Sequence, residues 1–208
     1  MLKLKKLSKF DVILSGVGGQ GTILASRIVG RCAVIAGLKM RGSELFGMSQ
    51  RGGAVYSHVR FGDEVESPII NEGSGDILIT FEPSEGLRHL KYLSQDGVIL
   101  VNISPIIPNT VSLGLTTYPE LDHSLEHYRS YAKTIDIDAT SIATEAGNPI
   151  SVNTVMIGAM VGTGRFPIDT EIVMNAIKSS VKPNLMEINT TAFNMGFNKV
   201  TKILAQNN

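Results

Sequence analysis

The stretch FDVILSGVGGQGTILASRIVGRCAVIA, residues 10–36, decides the fold of this chain. It begins with a short apolar run, residues 10–15, which predicts a strand that ends at glycine. After the glycine-rich turn, apolar residues set among small ones follow a helical pattern from residue 21 to residue 36. A strand, a tight turn and a helix in this order are typical of the opening of an α/β fold with a parallel sheet.

The rest of the chain keeps this alternation of strands and helices. Apolar runs such as residues 98–103 are typical of parallel strands covered on both faces. The order of elements predicts a three-layer α/β sandwich, with a mostly parallel, Rossmann-like sheet, helices on both faces and a single domain over residues 1–208. We predict further strands at residues 38–43, 54–61, 76–81, 98–103 and 133–138, and helices at 85–93 (closed by a turn at 94–97), 118–131, 141–146, 151–161, from 167–169 onward, and 185–204.

One predicted helix, residues 151–161, carries no charge at all and is rich in small and apolar residues. A helix that is apolar all round is buried. We therefore expect this segment to be either the central buried helix or part of a subunit interface. It is too short to span a membrane.

The composition limits the classes of partner and cofactor. Lysine plus arginine equals aspartate plus glutamate, 19 against 19, so nucleic acid and anionic membranes are poor partners. Only 18% of residues are charged and the mean hydropathy is +0.13, which suggests that another subunit covers part of the surface, and that the chain could self-associate when alone. The single cysteine, Cys32, allows neither an internal disulfide nor an iron-sulfur cluster built from this chain alone. With no apolar signal segment, we expect a cytoplasmic protein.

The glycine turn allows three interpretations. Gly16, Gly18 and Gly21 fit the G-x-G-x-x-G pattern between a strand and a helix, where backbone amides and a helix N-terminus can bind an anion. A dinucleotide is one such anion, although the acidic residue expected about 20 residues on is absent; Arg41 would instead suit the extra phosphate of NADP. A stand-alone NAD(P)-binding oxidoreductase is therefore one hypothesis. Equally, the glycines could only allow close packing of strand and helix. The candidate anion-binding residues here are Gly16, Gly18, Gly19, Gln20 and Gly21.

A second segment, SELFGMSQRGGAVYSHVRFG at residues 43–62, is predicted to be a polar loop that leads into a strand. Gly52 and Gly53 permit unusual backbone angles, and Ser49, Gln50 and Arg51 offer hydrogen-bond donors. The planar guanidinium of Arg51 can bind a phosphate or a carboxylate through two parallel hydrogen bonds. The competing interpretation pairs Arg51 with Glu44, and both hold if Glu44 orients Arg51.

Together with FEP at residues 81–83 and VNISPI at 101–106, these two segments resemble the gamma-type subunit of 2-oxoacid:ferredoxin oxidoreductases over roughly residues 10–196. Within that family, the resemblance is nearest to the small subunit of the enzymes that act on indolepyruvate. The serine, glutamine, arginine and double glycine of residues 49–53 are more specific to the family than the glycine turn. In this family the glycine turn is not a nicotinamide site.

The resemblance supplies the chemistry that the residues alone do not, since we find no catalytic constellation and no metal signature in the sequence. Such complexes oxidatively decarboxylate a 2-oxoacid with thiamine diphosphate and Mg, pass electrons through iron-sulfur clusters to ferredoxin, and form an acyl-CoA. The resemblance implies that a larger partner subunit holds thiamine diphosphate and the clusters. It also implies that this chain is inactive alone, binds none of these cofactors by itself, packs beside the active site and helps to shape access for CoA.

Overall fold

The computed structural model describes residues 7–47 and 52–206, apart from the side chain of Asn109. Six strands form one sheet: β1 (Phe10–Val17), β2 (Met40–Phe46), β3 (Ala54–Phe61), β4 (Gly75–Thr80), β5 (Leu93–Asn102) and β6 (Lys133–Ile137). The helices are α1 (Thr22–Ile35), α2 (Pro83–Leu87), α3 (Asn109–Ser112), α4 (Leu121–Tyr131), α5 (Ala139–Glu145), α6 (Val152–Gly162), α7 (Thr170–Lys178) and α8 (Met186–Gln206), with short 3₁₀ helices at Leu90–Tyr92, Pro149–Ser151 and Pro183–Leu185.

The strands lie in the order β2-β3-β1-β4-β5-β6, and β1, β4, β5 and β6 are mutually parallel. An antiparallel hairpin, β2 and β3, extends this sheet beyond β1, with Phe10 opposite Phe61 and Val17 opposite Ala54. The predicted mostly parallel sheet is confirmed. The hairpin brings the segment before β3 to the end of β1 where the glycine turn begins.

Helices cover both faces of the sheet. Alternate residues of β1 point to opposite faces. Val12 and Leu14 pack into a large core cluster with α1, α5, α6, α7 and α8. Ile13 packs on the other face, into a smaller cluster with Leu125 and Tyr128 of α4. Burying each such side chain contributes about 1.5–3 kcal/mol, so both layers stabilise the sheet. The predicted three-layer sandwich is confirmed.

Helix α6 is the central helix of the large cluster. Every one of its residues is buried within the chain. A Cβ added at Gly158 would collide with the Phe193 carbonyl of α8, and one added at Gly196 would collide with the Val155 carbonyl of α6, so the two helices pack backbone to backbone. Of the two alternatives for residues 151–161, the buried helix is confirmed, and the subunit interface is wrong.

The prediction was also wrong between residues 85 and 97. In place of one helix over 85–93, the chain forms α2 and then the separate 3₁₀ helix Leu90–Tyr92. The carboxylate of Glu82 accepts from the N–H groups of Ser84 and Glu85 and so begins α2 at Pro83. The strand β5 begins five residues earlier than expected, at Leu93, which pairs with Gly75 before a register shift. Long-range strand pairing overrides the turn signal of residues 94–97. In the described parts of the chain, no helix has the length and apolarity required to cross a bilayer.

Candidate functional site

The candidate site is the edge of the sheet at which the parallel strands end, which is where ligands bind in open α/β sheets. A hydrogen-bond network ties these strand ends together. The carbonyl oxygen of Phe81, after β4, accepts from Gln20 Nε2 at 2.7 Å and from Asn102 Nδ2 at 3.0 Å. Asn102, the last residue of β5, also accepts from the N–H of Ala139 at 3.0 Å. Because Gln20 and Asn102 are buried, this network fixes the edge rigidly.

The glycine turn is filled by its own glutamine. The Oε1 atom of Gln20 accepts from the N–H of Val17 at 2.8 Å, and a Cβ at Gly16 would lie 2.7 Å from the same Oε1 atom and 2.8 Å from Thr22 Oγ1. Gly21 precedes α1 with a left-handed φ of 77°, and no side chain caps the N-terminus of that helix. The geometry of the turn therefore requires glycine at residues 16 and 21, whether or not a ligand binds there.

The two segments that the sequence singled out lie side by side. The N–H of Gly18 donates to the carbonyl of Gly53 at 2.9 Å, and the N–H of Gly52 donates to the carbonyl of Gly18 at 3.3 Å. The Gly18 amide is therefore used within the protein. A Cβ added at Gly19, which has a φ of 107°, would point into open space. Ser49, Gln50 and Arg51 lie outside the described residues, and their role as donors stays a prediction.

Glu44 projects toward α1. Its carboxylate accepts from Arg27 Nε and Nη2, each at 3.3 Å, and from Ser26 Oγ at 3.4 Å. The Arg27 side chain is largely exposed, and exposed ion pairs contribute about 0–1 kcal/mol. The ion pair between Glu44 and Arg27 thus joins β2 to α1. Both residues, together with Met40, line a cleft of about 210 Å³.

Sequence reasoning missed a buried carboxylate at this edge. Glu82 is only 1% exposed, and besides capping α2 it accepts from Ser84 Oγ at 2.7 Å and from the hydroxyl of Tyr118. Burial, followed by the hydrogen bond to Glu82, raises the pKa of Tyr118 well above its usual value, so this hydroxyl stays a donor. The available signal was an acidic residue directly before proline, which is typical of a helix start. The contact anchors the chain between β5 and α4.

Two buried histidines pack near Tyr56: His58 lies within β3, and His89 follows α2. His58 Nδ1 accepts from the N–H of Ile70 at 3.1 Å, and the ring of His89 lies 4.3 Å from that of Tyr56. Burial, with nearby Arg60 as a second cause, lowers the pKa of His58 to about 4. Burial, with His58 as the second cause, lowers the pKa of His89 to about 4. Both rings are neutral at physiological pH, and they serve as parts of an aromatic cluster.

The known proteins that match this chain in sequence or in fold belong to one class of oxidoreductase. Residues 11–199 match the family described as pyruvate ferredoxin/flavodoxin oxidoreductase. The indolepyruvate oxidoreductase subunit IorB of Pyrococcus horikoshii is 40% identical over 200 residues, covering 95% of this chain and 99% of that relative. The keto/oxoacid ferredoxin oxidoreductase gamma subunit of Geobacter sulfurreducens is 28% identical, with a TM-score of 0.67 over 93% of this chain and 99% of that one. The pyruvate oxidoreductase subunit PORC of Thermotoga maritima shares the fold, with a TM-score of 0.71, 24% identity and coverage of 92% and 96%.

Proposed function

The chain belongs to the pyruvate ferredoxin/flavodoxin oxidoreductase family, and from this membership we propose that it is the small subunit of a 2-oxoacid:ferredoxin oxidoreductase. The assembled enzyme would decarboxylate an aryl 2-oxoacid such as indolepyruvate to an acyl-CoA. The observation that carries the proposal is the 40% identity to an indolepyruvate oxidoreductase subunit along nearly the full length of both chains. The match runs over 95% of this chain and 99% of that relative, so it is not confined to one shared motif.

The chain's residues do not fit the metal-containing cofactors of such an enzyme. An iron-sulfur cluster takes several thiolates, whereas the chain has the single Cys32, which is buried in α1 with its pKa raised by burial to about 12. Within residues 7–47 and 52–206, no three His, Cys, Asp or Glu side chains are grouped to hold the Mg that accompanies thiamine diphosphate. We therefore assign these cofactors, and electron transfer to ferredoxin, to a larger partner subunit.

An uncharged arm, residues 103–118, is the best candidate for contact with that partner. It is anchored at its start, where the N–H of Ile103 donates to the Ile137 carbonyl at 3.0 Å, and at its end, where Tyr118 donates to Glu82. Obligate interfaces are more apolar than the ordinary protein surface. The arm carries part of the exposed apolar surface that the composition predicted, whereas every residue of α6 is buried. The exposed large apolar side chains of the arm are Ile106, Ile107, Leu113 and Leu115, with the two leucines 73% and 72% exposed.

The alternative of a stand-alone NAD(P)-binding enzyme has less support. In a dinucleotide site, the amides of the glycine turn face the pyrophosphate. Here the Gly18 amide donates to Gly53 and the side chain of Gln20 fills the turn. Glu44, the acidic residue near the end of β2, is already paired with Arg27.

Assembly tests the proposal. We would co-express this chain, carrying an affinity tag, with the larger thiamine-dependent subunit encoded in the same genome, and measure co-purification. A stoichiometric complex is the expected result. Calorimetry of the isolated chain with NAD and NADP is the second arm, in which we expect no binding. Failure to form the complex, together with micromolar binding of either nucleotide, would establish the alternative.

A further inference from the structure

A cleft of about 240 Å³ opens where the first turns of α1 and α6 meet the segment that leads into α8. Polar side chains of Asn148, Asn153, Lys182 and Asn189 line it, and Leu24 contributes to its apolar wall. The cleft adjoins the glycine turn, because a Cβ at Gly21 would lie 3.0 Å from Asn153 Nδ2. It is smaller than the roughly 300–1,000 Å³ sites that hold drug-sized molecules, so any ligand is small.

The acceptor oxygens of the three asparagine side chains are already used within the protein. Asn148 Oδ1 accepts from the N–H of Ile150 at 3.0 Å, and Asn153 Oδ1 accepts from the N–H of Thr154 at 2.8 Å. Asn189 Oδ1 accepts from Thr154 Oγ1 at 2.6 Å, while its Nδ2 donates to the Leu185 carbonyl. These bonds also fix the orientation of each amide group.

What remains for a ligand is a set of donors. The Nδ2 groups of Asn148 and Asn153 and the ammonium of Lys182 have no acceptor among the residues that the structure describes. Asn153 is only 3% exposed and lines the cleft, so its Nδ2 group is held at the cleft wall rather than on the outer surface. This group can therefore donate to a ligand in the cleft without breaking a hydrogen bond within the described part of the chain.

We propose that this cleft binds the oxyanion group, carboxylate or phosphate, of a small acidic ligand. Two neutral side-chain N–H donors and one ammonium line the cleft, and the positive end of the α6 helix dipole lies beside it and favours negative charge. The absence of a carboxylate from the lining residues means that nothing in the wall opposes an anion. The site belongs to this chain alone and is independent of the proposed function.

The test is an NMR titration of the ¹⁵N-labelled full chain without any partner. The probes are inorganic phosphate and phenylpyruvate, each added to about 10 mM, a range that detects millimolar affinity. We expect at least one probe to shift the side-chain NH₂ signals of Asn148 and Asn153 in a saturable manner. A response to phosphate alone assigns the cleft to phosphate ligands, and a response to phenylpyruvate alone assigns it to carboxylate ligands.

Two lysine variants complete the test. Lys182→Gln should weaken the binding of the responding probe about tenfold, the effect of losing one charge-assisted hydrogen bond. Lys133→Gln, an exposed lysine at the opposite edge of the sheet, removes the same charge and should leave the affinity unchanged. The proposal is overturned if neither probe shifts the two asparagine signals, or if both variants weaken binding equally.

Discussion

The side-chain amide of Gln20 joins two strand ends that are far apart in sequence, since Nε2 donates to the Phe81 carbonyl at 2.7 Å while Oε1 accepts from the N–H of Val17. This places a polar side chain at the position in the glycine turn where a dinucleotide-binding protein would place phosphate. The turn is consequently built as a rigid structural element that supports the neighbouring loop, with Gly18 bonded to Gly53.

Removing this bridge should destabilise the chain. Gln20→Ala leaves the buried N–H of Val17 unpaired and removes one of the two donors to Phe81, so we expect the free energy of unfolding to fall by about 1–3 kcal/mol. Urea denaturation measures this change in the free energy of unfolding. Gln95→Ala, on an exposed stretch of β5, is the matched control and should change stability by less than about 0.5 kcal/mol. Equal effects of the two substitutions would contradict the structural role of Gln20.

Stability should decrease in acid because of the buried histidines. The pKa of His89 is about 4 in the folded chain, below the value of about 6.5 in an unfolded one, so between these values the unfolded state binds more protons. The stability due to neutral His89 is therefore complete above about pH 6.5 and is lost as the pH falls toward 4. His89→Phe keeps a ring beside Tyr56 and should flatten this slope.

The measurement is the free energy of unfolding at intervals between pH 7 and pH 4, compared among variants. His123→Gln, at an exposed position of α4, controls for loss of an ordinary histidine and should keep the slope of the unmodified chain. A slope that is unchanged in His89→Phe would mean that this ring protonates freely in the folded protein.

The arm of residues 103–118 should be needed for assembly but not for folding. Charges introduced by Leu113→Asp and Leu115→Asp would be buried against an apolar partner surface, whereas in the isolated chain both positions face water. We expect the double variant to lose co-purification with the larger subunit while its melting temperature changes by only about a degree or two. Val34→Asp, which alters another exposed apolar residue at the end of α1, is the control and should still assemble.

The sequence alone leads to two competing predictions for Arg51, a contact with a ligand and a structural ion pair with Glu44. If its guanidinium contacts a phosphate of CoA or a carboxylate in the assembled enzyme, Arg51→Lys keeps the charge but loses the two-pronged geometry, so the KM for that ligand rises while the melting temperature stays nearly the same. Steady-state kinetics of the complex and thermal unfolding of this subunit are both measured on the one variant. A loss of stability with normal kinetics would assign Arg51 a structural role.

Local sequence signals were sufficient where one element alone determines the structure. The turn from β1 into α1 and the buried helix α6 follow from glycine placement and from an uncharged apolar run. The start of β5 did not follow, because it depends on pairing with β4 across a register shift. The same limit applies to Gln20, which the pattern offered as an anion-binding residue; its partner Phe81 lies 61 residues away, and only the folded sheet brings the two together.

The central claim is that this chain works only as part of a 2-oxoacid:ferredoxin oxidoreductase. The most direct measurement is indolepyruvate- and CoA-dependent reduction of an artificial electron acceptor by each subunit alone and by the two combined, without oxygen. We expect turnover only from the combined subunits, with a higher kcat/KM for indolepyruvate than for pyruvate or 2-oxoglutarate. Turnover by this chain alone, or an equal rate from the larger subunit with and without it, would contradict the account.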